Sequence, residues 1–194
     1  MKTRPAMDNQ QKFQLACHEA GHAVLSHVLN ERPVKHIHLF GDKGGYCDLG
    51  KLPDTGGDVR DRVESLLIIS LAGQAAATRA KFIPWTIAGA PPPAAKPIPP
   101  AINHSREKSF QLLWDDAHGP QEFTDGAYQT RLAKRLFPDS YGPYLYWMAR
   151  RTDALVINHW RAIQAVAVAL FHRSYLKRRE FLQIINMEVK KCAL

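Results

Sequence analysis

The run Gln11 to Asn30 carries His18-Glu19-Ala20-Gly21-His22 and constrains the fold more than any other part of the chain. Leu15, Val24, Leu25, Val28 and Leu29 recur at helical spacings, and the pattern stops at Asn30, ahead of Pro33. One amphipathic helix is therefore predicted. Two histidines four apart on a helix share a face, one turn above the other. At that spacing two imidazole nitrogens can hold a single Zn²⁺ at about 2.0–2.1 Å each. Glu19 directly follows the first histidine, where a carboxylate reaches a water on the metal and serves as general base. These residue types in this pattern point to metal-assisted amide hydrolysis, with Glu19 catalytic and His18 and His22 as ligands. The plain alternative is two ordinary core or surface histidines.

After this helix, Val34 to Phe40 alternates as a strand, Gly41 to Gly45 is turn chemistry, and Tyr46 to Leu49 can pair back as a short second strand. His36 and His38 share one strand face, as metal ligands or as solvent-facing side chains. The strand offers an edge on which an extended peptide can pair, which makes Val34, His36, His38 and Phe40 the candidate substrate-binding residues. Asp58 can cap a helix running to about Lys81. The small residues Ala72-Gly73-Gln74-Ala75-Ala76-Ala77 predict that another helix, the one bearing His18 and His22, approaches it closely.

Seven of the seventeen residues from Pro84 to Pro100 are proline, which excludes helix and central strand. This reads as an insertion, at about 84–104, within a single domain spanning 1–194, either a lid or an inert loop. Helical patterning returns at Phe123 to Leu136, at Tyr144 to Phe171 with a break near Arg151-Thr152-Asp153, and at Leu176 to Val189. No internal repeat is visible. The predicted class is mainly α (α+β), with a small β-hairpin or sheet beside the first helix.

At 194 residues the chain can bury a real core. Its best apolar run, Leu66 to Ala77, is the length of a buried helix, too short for a membrane span. Met1 to Pro5 lacks the apolar stretch of a signal peptide. Three cysteines (Cys17, Cys47, Cys192) fit a reducing compartment, so a cytoplasmic protein is expected. Cys192 is third from the end, so the tail is no prenylation box. The net charge is +8, with basic clusters at Arg131/Lys134/Arg135, Arg150/Arg151 and Arg173/Lys177/Arg178/Arg179. These read as solvated helix faces. No helix-turn-helix, zinc-finger or RNA-binding signature accompanies them, so nucleic acid is disfavoured as a partner.

A catalytic zinc needs a third protein ligand. Position 28 is Val, which excludes the HExxHxxGxxH extension; Glu31 is too close and Glu64 rather far to be the usual glutamate. An aspartate is the better candidate. Ala16 to Val24 resembles the HEAGHA helix of the FtsH-type zinc peptidases. Val34 to Leu49 resembles that family's strand pair, Leu71 to Ala80 its small-residue helix, and Thr124 to Ala133 its aspartate-led helix. Ala169-Leu170 and Leu176 to Phe181 are similar to its closing helix pair.

The resemblance implies a zincin-like helical metallopeptidase domain that cleaves proteins or peptides with Zn²⁺ as cofactor. It also implies His18, His22 and Asp125 as ligands and Glu19 as base. Asp125 at a helix start can equally serve as an N-cap, and Asp115 and Asp116 are fallback ligands. Thr124-Asp125-x-x-Tyr128 is also similar to a second family of aspartate-ligated zinc endopeptidases, which selects the same residue.

The chain departs from the family where Ala76, Ala77 and Thr78 replace acidic residues. It also has no Walker motif, so any unfolding would fall to a separate AAA+ partner. His104, His118 and Tyr128 are oxyanion candidates by residue type alone. Two other accounts stand beside the enzyme: a metal-binding peptide-recognition module or adaptor, and a nucleic-acid-associated regulator. A homo-oligomer is compatible with all three.

Overall fold

The computed structural model describes residues 7–41, 44–51, 58–82 and 125–192. Helix α1 (Asn9–Val28) starts at a capping box. The Asp8 carboxylate accepts from Gln11 N at 2.7 Å, and the Gln11 side-chain oxygen accepts from Asp8 N at 3.0 Å. The helix stops at Leu29, and Asn30 turns the chain away with φ +53°. Residues on nearly every side of α1 from Phe13 to Ser26 are buried. It is the central helix of the molecule rather than a one-sided amphipathic one, enclosed by α2 (Val59–Ala80), α5 (Trp160–Arg173) and the sheet.

Asp58 caps α2 as its position predicts, accepting from Arg60 N at 2.8 Å. The small residues bring α1 and α2 into close contact. A Cβ on Gly21 would stand 2.6 Å from Ala72 O and 3.0 Å from Ala76 Cβ. Glycine costs about 1 kcal/mol relative to alanine within a helix, and here that cost permits a backbone approach no larger residue allows.

Strands β1 (Val34–Leu39) and β2 (Gly45–Leu49) form the expected antiparallel hairpin, with Gly41 and Gly44 at positive φ beside the turn. A third strand, β3 (Tyr175–Lys177), pairs with the other edge of β1, giving the order β2-β1-β3. Sequence patterning assigns Leu176 to the closing helix. Instead, α5 ends at Ser174 in the left-handed region (φ +57°), and β3 precedes α6 (Arg178–Cys192). Leu176 drops into the core with no exposure.

The sheet has two distinct faces: Ile37, Leu39 and Leu176 are buried, whereas His36, His38, Tyr46 and Tyr175 look outward. A bulge between Val34 and His36 shifts the alternation and buries Val34.

Helices α3 (Asp125–Leu136) and α4 (Tyr141–Asn158) complete the described elements. The break expected near Arg151–Asp153 lies later, at His159, where α4 and α5 meet at 75°. Thr152 is buried within α4, and its hydroxyl donates back to Met148 O at 2.8 Å, so the run stays helical. Among the described residues no single helix is long and apolar enough to cross a membrane. The described architecture is mainly helical with a small antiparallel sheet.

Candidate metal centre

His18 and His22 project from the middle of α1 toward Gly73 of α2. A Cβ on Gly73 would lie 2.3 Å from His22 Nε2 and 2.9 Å from His18 Cε1, so glycine is what leaves room for both rings. His22 Nδ1 is 2.7 Å from Ile69 O. A carbonyl only accepts, so Nδ1 carries the proton and Nε2 presents its lone pair. His18 Nε2 lies 3.1 Å from His22 Nε2, with the rings nearly perpendicular at 83°. With His22 in this tautomer, His18 Nε2–H donates across that gap when protons alone are present.

The same spacing fits a shared metal. Two ligand nitrogens at tetrahedral zinc distances sit about 3.3 Å apart, close to the 3.1 Å separation here. The Ile69 carbonyl performs the ring-orienting task that a carboxylate often performs in zinc sites.

Glu19 is only 5 % exposed and turns toward the sheet. Its Cγ would be 2.9 Å from a Cβ on Gly45, the first residue of β2. Burial, then the Glu19 and Asp48 carboxylates, push the Cys47 thiol well above its ordinary range, opposed by Arg32. Cys47 is thus a poor thiolate.

Asp125 is the first residue of α3; its side chain lies outside the described atoms. Asp115, Asp116, His104, His118 and the proline-rich segment also lie outside the described residues, and Tyr128 is exposed on α3. Among the described residues no group of three or more His, Cys, Asp and Glu side chains is placed to hold a metal.

The register of α3 is nevertheless fixed. Gln129 is fully buried, and its Nε2 donates to Ser70 O at 2.8 Å. Two turns later, the Phe137 ring stacks under the Arg60 guanidinium at 5.5 Å. Helix α3 therefore runs antiparallel to α2.

The structure alters one assignment outright. Strand β1 lies in the middle of the sheet, and β3 occupies its second edge through His36, Ile37 and His38. Its backbone is paired on both sides at His36, Ile37 and His38, so this stretch of β1 offers no free edge on which a peptide can pair. Of the four candidates, Val34 is buried, and His36, His38 and Phe40 lie on the outward face. Periodicity within β1 reveals a strand but not its neighbours, and β3 is too short to read from sequence. Ile69, Gly45 and Gln129 also escape sequence reasoning, because their roles arise only from how the elements cross.

No family model and no curated protein matches this chain.

Proposed function

We propose that this chain is a zinc-dependent metallopeptidase of zincin-like, FtsH-type character that hydrolyses peptide bonds in proteins or peptides. The observation that carries this reading is the His18–His22 pair. Two Nε2 atoms converge at 3.1 Å, one of them locked in the ligating tautomer by Ile69 O, with Glu19 buried on the next residue. An ordinary pair of core histidines has no need of a glycine opposite them or of a buried acid beside them.

Helix register supports Asp125 as third ligand. Gln129 is level with Ser70, and α3 runs antiparallel to α2. One turn before Gln129, at about 5.4 Å per turn, Asp125 comes level with Gly73 and Gln74 on the same helix face. That is where the imidazoles meet α2.

His18, His22 and Asp125 would hold the zinc, which supplies Lewis acidity: a nucleophilic water near neutral pH and a polarised scissile carbonyl. Glu19 accepts the proton of the attacking water and returns it to the leaving amine nitrogen. Its burial beneath β2 keeps the carboxylate out of bulk water and oriented. The outer edge of β2, which begins at Gly45 over Glu19, is the strand edge nearest the base and the better cradle for an extended substrate.

Cleavage of unfolded casein tests the reading. The wild-type chain loaded with zinc is expected to cleave it, and Glu19→Gln to lose at least about a hundredfold in rate while keeping its metal. Undiminished cleavage by Glu19→Gln would remove Glu19 as the base. Peptide binding without turnover in the wild type would favour the recognition-module account.

A further inference from the structure

The outward face of the sheet carries His36 and His38 from β1, Phe40 just past its end, Tyr46 and Asp48 from β2, and Tyr175 and Lys177 from β3. Cross-strand pairing sets them in rows: Asp48–His36–Lys177, then Tyr46–His38–Tyr175, with Phe40 beyond. The rings form one connected layer. His38 touches Phe40, Tyr46 and Tyr175 at centroid distances of 4.3, 6.0 and 5.5 Å, and Phe40 stacks on Tyr46 at 5.3 Å and 18°. His36 bridges to Tyr46 and Tyr175. Phe40, Tyr46 and Tyr175 remain 45 %, 38 % and 38 % exposed. Among the described residues the face bears no aliphatic side chain, so these offer ring faces and polar tips rather than a greasy patch.

Cations flank these rings. Lys35 and Lys177 are exposed on the sheet, and the chain leaves β3 through the exposed Arg178 and Arg179. Among the described residues, the two nearby carboxylates are already engaged. Asp48 lies 3.7 Å from Lys35 and 3.6 Å from His36, and Glu180 lies 2.9 Å from Arg173. The surface therefore pairs an aromatic layer with surplus positive charge, in a chain of net charge +8.

We propose that this face binds single-stranded nucleic acid. Bases stack on Phe40, Tyr46 and Tyr175, and phosphates run toward Lys177, Arg178 and Arg179. Stacking on exposed aromatic residues needs bases freed from a duplex, and flanking cations neutralise the backbone. The metal centre lies on the opposite side of the sheet, where Glu19 meets Gly45, so this inference is independent of the peptidase reading.

The test is fluorescence anisotropy of the full chain with labelled oligo(dT) of about twelve nucleotides, in about 50 and about 200 mM salt. The wild type is expected to bind saturably and more weakly at high salt. The double change Tyr46→Ala, Tyr175→Ala should weaken binding about tenfold or more, and Tyr46→Phe, Tyr175→Phe should restore it. Lys177→Glu leaves every ring in place and should weaken binding and flatten the salt dependence, so the proposal stays testable even where the alanine variant unfolds. It is overturned by absence of binding, by an alanine variant that folds and binds like wild type, or by a duplex bound as tightly as the single strand. Lys177→Glu binding with unchanged affinity and salt slope also overturns it, as does capture by phosphatidylserine vesicles with no oligonucleotide binding.

Discussion

Gly73 shows how much of this site rests on one missing methyl group. A Cβ there would overlap His22 Nε2 and crowd His18 Cε1, so alanine must turn the imidazoles aside while leaving every candidate ligand in the chain. Helix propensity alone favours alanine by about 1 kcal/mol, which separates the metal effect from helix loss. Gly73→Ala is expected to weaken zinc binding at least about tenfold, measured by competition with a chromogenic chelator. Wild-type affinity in that variant would mean that the metal, if held, is not held between these rings. His18, Glu19 and His22 are legible in the sequence because a helix of known period fixes their relative directions. Ile69 and Gly45 are not, because a carbonyl or an α-carbon has no side-chain signature and acquires a role only where two elements cross.

Elements were readable in proportion to their length and periodicity. The small-residue stretch of α2 announces close packing, and the contact of Gly21 with Ala72 and Ala76 realises it. The three-residue β3 has no period to detect, and missing it reverses the role of β1 from edge to centre. The register of α3 makes a prediction of its own. Asp125→Ala should lower zinc content, read by metal analysis after dialysis, because its helix turn lies level with Gly73; unchanged zinc would exclude Asp125 as a ligand.

Helix α4 offers a pH-dependent one. Burial lifts the Asp153 carboxyl above its ordinary value, partly opposed by Arg150. A raised folded-state pKa means that the protonated acid suits the fold and the carboxylate does not. The residue is thus least unfavourable below its unfolded pKa, and it destabilises as pH rises through both values. Asp153→Asn is expected to raise Tm by a few degrees at neutral pH, with the gain fading toward about pH 3. Thermal melts across pH check it, and a gain that persists undiminished in acid would contradict it.

At the scale of the molecule, the central helix and the small sheet divide the described structure into two chemically distinct regions. On α1, two half-buried imidazoles face α2 and a buried acid faces β2. Across the sheet, facing outward, lies an aromatic and basic layer. Predominantly helical architecture and the hairpin follow from patterning along the chain. The separation of these regions does not, since it depends on which strand ends up in the middle. Everything claimed for catalysis requires that a divalent ion sit between His18 and His22. The most direct measurement is the zinc content of the purified full chain after zinc loading and gel filtration, beside the variant His18→Ala, His22→Ala. About one zinc per wild-type chain, falling to near zero in the variant, is the expected result; a wild type that retains none, or a variant that retains as much, contradicts the account.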